Sequence, residues 1–146
     1  MKTSYETDVV AWAHEQAKLL RTGQLSALDI EHIAEEIESM SASERRELRN
    51  RLKVLLQHLL KWEFQPERRS SGWLATMLEQ RESIEEVLKE SPSLKATMPE
   101  NLMLAYPSAV RLTSKETSLS ARLFPKECPY TLADVMTDDW LPPDQH

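Results

Sequence analysis

Five side chains carry the chemistry this sequence offers: Glu36, His58, Arg69, Trp73 and Arg81. Histidine titrates near neutrality, so His58 beside a carboxylate such as Glu36 could act as a general base or hold zinc in a His–Glu set. Arg81 interrupts an apolar row. Leu74, Met77, Ile84 and Leu88 recur with it in steps of three and four, which puts a guanidinium in a core-facing slot. Burying that group without a partner is costly, so a carboxylate is expected beside it, Glu36 first and Glu38 second. A buried pair of this kind specifies a packing arrangement more than it stabilises one; the other use of Arg81 is anion binding in a cleft. Arg69 and Trp73 fall close together in the sequence, and an arginine beside an aromatic can hold a phosphate and stack a base. The five together define a candidate polar cleft or ion-pair network.

Each residue also has a plainer reading. At about 100° per residue, Glu36 lies about 80° from the centre of its apolar stripe, where a carboxylate forms an interhelical ion pair or a solvated flank. His58 lies about 100° from its own stripe centre, the position of a hydrogen-bonded or exposed border histidine. Di-iron bundles need Glu-x-x-His on each of two helices. Here Asp29-x-x-His32 is the nearest match and has no second copy, since Leu55 precedes His58 and Ala11 precedes His14 at that spacing. No metal site is assigned and no cofactor is predicted. Cys128, the one cysteine, is flanked by Glu127 and Pro129 and reads as a small buried hydrophobe. Neither a nucleophile elbow nor a glycine-rich phosphate loop nor a paired-cysteine motif occurs.

Size and charge narrow the function classes. The 146 residues suit a single domain, 1–146, with 118–146 an irregular wrap or tail. The net charge of -6 argues against affinity for nucleic acid. The cations Arg45, Arg46, Arg49, Arg51, Lys53, Lys61, Arg68 and Arg69 then serve to neutralise acidic neighbours and solubilise their own helix. A lone cysteine excludes an internal disulfide and suggests a reducing interior. Without an apolar run of membrane-spanning length or a signal-peptide core at the N-terminus, the expected location is the cytoplasm.

The elements that must position these side chains are helical. Only two glycines occur, too few for a hairpin-rich sheet. A first helix is expected from about Asp8 to Thr22, on the row Val9, Trp12, Ala13, Leu19 and Leu20, and Gly23 is its stop. Ser26 and Asp29 form a capping-box spacing that opens a second helix with the stripe Ile30, Ile33, Ile37 and Met40. Ser41 and Glu44 repeat the spacing and open a third, roughly 42–64, on Leu48, Leu52, Leu55, Leu59 and Trp62, widened by Leu56 and Leu60. Residues 24–44 hold six acids and no base, and 45–69 hold eight bases against three acids. That reversal predicts that the second and third helices pair face to face. A fourth helix starts at Ser70 or Ser71 and ends at Ser91-Pro92-Ser93; a fifth runs from about Pro99 to Lys115, kinked near Pro107. Thr131 and Asp134 predict a short helix near 132–137, and Trp140-Leu141-Pro142-Pro143 an extended tail.

Taken together these pieces resemble the bacterial DUF29 family over nearly the whole chain, from about Tyr5 to Trp140. The resemblance rests on Trp12 with Glu15-Gln16-Ala17 and Leu19-Leu20-Arg21, on Leu28-Asp29 and Ala34-Glu35-Glu36-Ile37-Glu38-Ser39-Met40, and on His58-Leu59-Leu60-Lys61-Trp62. Arg69-Ser70 with Trp73, Gln80-Arg81, Ser91-Pro92-Ser93-Leu94, Phe124-Pro125 and Cys128-Pro129-Tyr130 follow in order. It implies a helical fold and leaves the function open. Two positions depart from the family pattern: His32 replaces an Asn, and Ser118 stands where Gly often follows Glu116-Thr117. The expected architecture is all-α, a bundle-like core of four main helices with a Pro-kinked fifth. The function expected first is a non-enzymatic protein-interaction module, self-associating or bound to a protein partner, for which Trp140 looks like an exposed anchor. The alternatives are an enzyme or small-ligand binder built on the polar cleft, and a nucleic-acid-linked regulator.

Overall fold

The computed structural model describes residues 4–144. It is all-α, with no strand among the described residues. The helices are α1 (Val9–Arg21), α2 (Ile30–Phe64), α3 (Ser71–Glu90), α4 (Met98–Thr117) and α5 (Leu132–Met136), joined by short 3-10 turns. The chain divides into two compact units, Met1–Ser43 and Glu44–His146, and α2 supplies residues to both.

The largest departure from expectation is α2 itself. The second and third predicted helices are one unbroken helix of 35 residues, so they cannot fold back to pair. The Ser41–Glu44 spacing fits a helix start only if Ser41 leaves helical geometry. Neither Gly nor Pro occurs between Ile30 and Phe64, and a break would strip four carbonyls and four amides of their intrahelical partners. Continuing the helix is cheaper. At the other end Asp29, rather than Ser26, caps α2: its carboxylate accepts from the His32 amide at 3.4 Å, while Ser26 lies in the 3-10 turn Leu25–Ala27.

In the first unit, Asp8 caps α1 by accepting from the Ala11 amide. Gly23 follows the helix with φ 72, the left-handed geometry expected of a stop. Only Trp12 and Gln16 of α1 are buried; Val9 and Leu20, read as stripe residues, are about half exposed.

The second unit holds the hydrophobic core. Leu48, Leu52, Leu55, Leu56, Leu59 and Leu60 of α2 are fully buried, as the row predicts. Met77, Ile84 and Val87 of α3 and Met98, Leu102, Ala105, Tyr106 and Ala109 of α4 close over them. Leu74, expected in the row on α3, is exposed. Ser70 caps α3 through the Trp73 amide, and Thr131 caps α5 through the Asp134 amide. Pro107 lies inside α4, with Met103 four residues earlier. Both are exposed, so the carbonyl deprived of its donor is on the solvent side. α4 ends at Ser118, whose φ of 62 is left-handed, the geometry that explains a glycine preference at this position.

Candidate functional site

Four of the five candidate residues, His58, Arg69, Trp73 and Arg81, belong to the second unit. Arg81 is 2% exposed, so its core-facing slot is as read from the sequence. Its partner is not Glu36. Nε donates to the Val135 carbonyl at 2.8 Å and an Nη to the Trp140 carbonyl at 2.9 Å. Two backbone oxygens satisfy the fork without burying a second charge, and the C-terminal segment is thereby tied to α3. Burial pushes the Arg81 pKa down, and the Asp138 and Asp139 carboxylates oppose that shift. Trp140 is not the exposed anchor expected: it packs edge-on against Tyr130 at 5.6 Å and lies against the core.

Arg69 does not stack on Trp73. Its guanidinium lies over Trp62 at 4.9 Å, donates through Nε to the Trp62 carbonyl at 2.8 Å and pairs with Asp144. Trp73 takes Lys61 instead, its Nζ 4.7 Å from the ring centre. Lys61 is 4% exposed and bonds Glu116 at 2.8 Å, whose other oxygen accepts from Gln57. The Lys61 bond holds the Glu116 carboxyl below the usual carboxylate range. His58 sits beside this pair. Its Nδ1 is 2.8 Å from the Val54 carbonyl, which can only accept, so Nδ1 carries the proton. Burial lowers the His58 pKa, reinforced by Lys61, although the Val54 bond raises it. His58 thus backs its own helix through Nδ1.

Glu36 belongs to the first unit and to a cluster that the sequence reading missed. The Tyr5 hydroxyl donates to its Oε1, and that bond pushes the phenol up to about 12. Tyr5 stacks on His32 with ring centres 4.3 Å apart and meets Trp12 edge-on at 4.8 Å. His32 Nδ1 bonds Asp29 Oδ2 at 2.7 Å, and Nε2 faces Glu6 at 3.6 Å. Trp12 Nε1 donates to Asp29 at 3.0 Å, and the Asp29 amide donates to Gln16. Hydrogen bonding within the His32–Asp29 pair raises the histidine pKa and lowers that of the carboxyl. The Asp29-x-x-His32 spacing was visible in the sequence; nothing local marked Tyr5 as its third member.

A family model described as a domain of unknown function, DUF29, matches residues 4–141. The chain belongs to the DUF29 family. Neither a curated protein nor a solved structure matches it. In this DUF29 chain no group of three or more metal-ligating side chains stands together among the described residues. Cys128 is half-buried, its thiol raised by burial and directed at the Tyr130 carbonyl, the surroundings of a packed thiol and not of a nucleophile.

Two grooves of ligand size open on the second unit. One, of about 670 Å³, has Leu88, Met98, Leu132 and Met136 on its walls and Lys89, Lys95 and Glu85 around it. Another, of about 590 Å³, is lined by Lys53, Arg111, Lys115, Leu112 and small residues. Arg81 lines a smaller recess of about 250 Å³ with Met77, Leu78 and Asp139. Chemically, the DUF29 arrangement pins segments together through cations on carbonyls, aromatic rings and carboxylates. No helix of the described residues is long and apolar enough to cross a membrane.

Proposed function

We propose that this chain is a non-enzymatic helical interaction module that offers the N-terminal half of α2 to a protein partner. One observation carries the reading. Ile30, Ile37 and Met40 are 69%, 61% and 69% exposed, and their spacing of seven and three keeps them on one side of the helix. Apolar side chains exposed in a row mark interaction surfaces, and a row at this spacing suits a partner helix or groove. Burying a side chain of this size yields about 1.5–3 kcal/mol. Three of them exceed the lower estimates of the association cost, about 4 kcal/mol, by a modest margin. The expected complex is therefore of moderate strength, and self-association is its simplest form. The lone thiol of Cys128 supports a reducing cytoplasm as its compartment.

Arg81 and Arg69 speak against a catalytic cleft, since each commits two guanidinium nitrogens to fixed partners, Arg81 to two carbonyls and Arg69 to a carbonyl and Asp144. The small-ligand alternative retains the 670 Å³ groove, whose size and apolar walls suit a ligand. Native mass spectrometry of the purified protein separates the two. A multiple of the subunit mass that reverts to monomer in the double variant Ile37→Glu, Met40→Glu supports the module. A small extra mass per subunit retained by that variant supports the groove. A protein that is strictly monomeric and captures no cellular protein removes the module.

A further inference from the structure

The groove of about 590 Å³ brings three cations together, Lys53 from α2 and Arg111 and Lys115 from α4. All of them belong to the second unit. No carboxylate lines this groove, and none of the three cations forms an ion pair with a described residue. The ordinary use of a surface cation on a helix is a pair with an acid three or four residues away. Here no Asp or Glu stands three or four residues before or after Lys53, Arg111 or Lys115. Arg111 and Lys115 are themselves four apart, so two like charges share one face of α4 and repel. Glu116, the acid next to Lys115, is already taken: its two oxygens accept from Lys61 and Gln57. Lys53, expected to neutralise an acidic neighbour, has no such neighbour in the groove.

We infer that this groove binds a small soluble ligand through a diphosphate group. Arg111 donates through one Nη to the Ser108 hydroxyl at 2.9 Å. That bond holds the guanidinium and leaves the rest of its planar fork for phosphate oxygens. The Ser108 hydroxyl accepts in that bond and keeps its own proton for a further acceptor. Ser114 is wall only, since its proton goes to the Leu119 carbonyl. Lys53 and Lys115 add compact point charges. A phosphate monoester carries a charge of about −1.5 to −2 near neutrality, less than three cations can balance, so two phosphoryl groups match better than one. The volume lies within the range of small-ligand sites, about 300–1,000 Å³, and Leu112 offers an apolar wall to the rest of the ligand. A second groove of about 400 Å³ shares Ala121 and adds Arg122 and Lys126, again with no carboxylate. In a chain of net charge -6, five cations around two adjoining grooves make a local positive field that draws multivalent anions. The inference goes beyond the interaction module and does not depend on the exposed row of the first unit.

Isothermal titration calorimetry of the full chain tests this with inorganic pyrophosphate, ADP and inorganic phosphate at about 100 mM salt. The expected result is one diphosphate per chain, with pyrophosphate and ADP each bound at least about tenfold tighter than phosphate. Arg111→Gln and Lys115→Gln each weaken pyrophosphate about tenfold or more. Arg111→Lys recovers only part of that loss, because an ammonium lacks the fork. The double variant Lys89→Gln, Lys95→Gln removes two cations from the other groove and changes the affinity less than about twofold. Circular dichroism checks that each variant keeps its helix content. ADP bound tighter than pyrophosphate supports the inference and adds that the nucleoside is read; pyrophosphate bound without ADP supports it with the inorganic ion as the source. No binding of either up to about 1 mM overturns it. Phosphate bound as tightly as pyrophosphate, or an equal loss in the Lys89 and Lys95 variant, overturns it in favour of diffuse charge attraction. Binding to phosphatidylserine vesicles or to a single-stranded oligonucleotide without binding of pyrophosphate also overturns it.

Discussion

Arg81→Met is the most informative single change in the second unit. Methionine keeps most of the apolar length and fills the slot, so the cavity contribution is small. Two charge-assisted hydrogen bonds vanish, to the Val135 and Trp140 carbonyls at 2.8 and 2.9 Å. Bonds from a charged donor contribute about 1.5–3 kcal/mol each. Relief from desolvating the guanidinium returns part of that loss. Weighing the two leaves a net destabilisation of about 3 kcal/mol. In urea, with a slope of about 2 kcal/mol/M, the midpoint falls by about 1.5 M. The loss has a local signature as well. Trp140 packs on Tyr130 and its carbonyl is held by Arg81, so the segment after α5 becomes the first cleaved in limited proteolysis. Arg81→Lys recovers little, because an ammonium lacks the planar fork that reaches both oxygens. A methionine variant with a midpoint within about 0.3 M of the parent, and an equally protected C-terminal segment, refutes the reasoning.

Other expectations follow from single residues. Ser118 is held at φ 62, so Ser118→Gly stabilises by about 0.5–1 kcal/mol, while Ser118→Ala gives no gain; thermal melts of the two variants check this. His32 has a raised pKa and Asp29 a lowered one. The histidine's stabilising contribution is therefore full below the unfolded value of 6.5 and lost as pH rises through the raised folded value. That of Asp29 is present above 3.8 and lost as pH falls through the lowered value. In NMR titration the His32 midpoint lies above 6.5 and drops in Asp29→Asn; an unmoved midpoint rejects the pairing. For His58 the folded pKa is depressed by burial, so its contribution is present above 6.5 and is lost as pH falls through the folded value. Stability curves of His58→Gln, which cannot ionise, lack that acid-side loss.

Much of the fold was legible because helix signals are local. The row Leu48, Leu52, Leu55 and Leu59 has helical period and is buried throughout. Ser70 and Thr131 cap as their spacing predicts, and Pro107 marked an interruption that α4 absorbs on its exposed side. A capping box, however, is a necessary pattern and not a sufficient one. Ser41 and Glu44 carry the spacing in mid-helix, where each neighbouring turn supplies the backbone bonds that a cap would otherwise provide. The candidate site was legible in part. The spacing of Arg81 revealed its burial, yet its partners lie 54 and 59 residues away on backbone oxygens that have no side-chain identity to read.

By itself the sequence determined the helical class, most helix ends, the leucine row of α2 and the DUF29 membership. These depend on periodicity, caps and residue order, which act within a few turns of chain. Tertiary structure alone decided which apolar row is covered. Ile30, Ile37 and Met40 have the same period and hydrophobicity as the leucines that follow, yet they remain exposed while Leu48 to Leu60 are sealed by α3 and α4. It also decided that Arg69 lies on Trp62, that Lys61 lies on Trp73 and that Tyr5 closes on His32. Periodicity states that a face is apolar or charged; only the packed chain states what meets it, because that depends on segments brought together from far apart in the sequence.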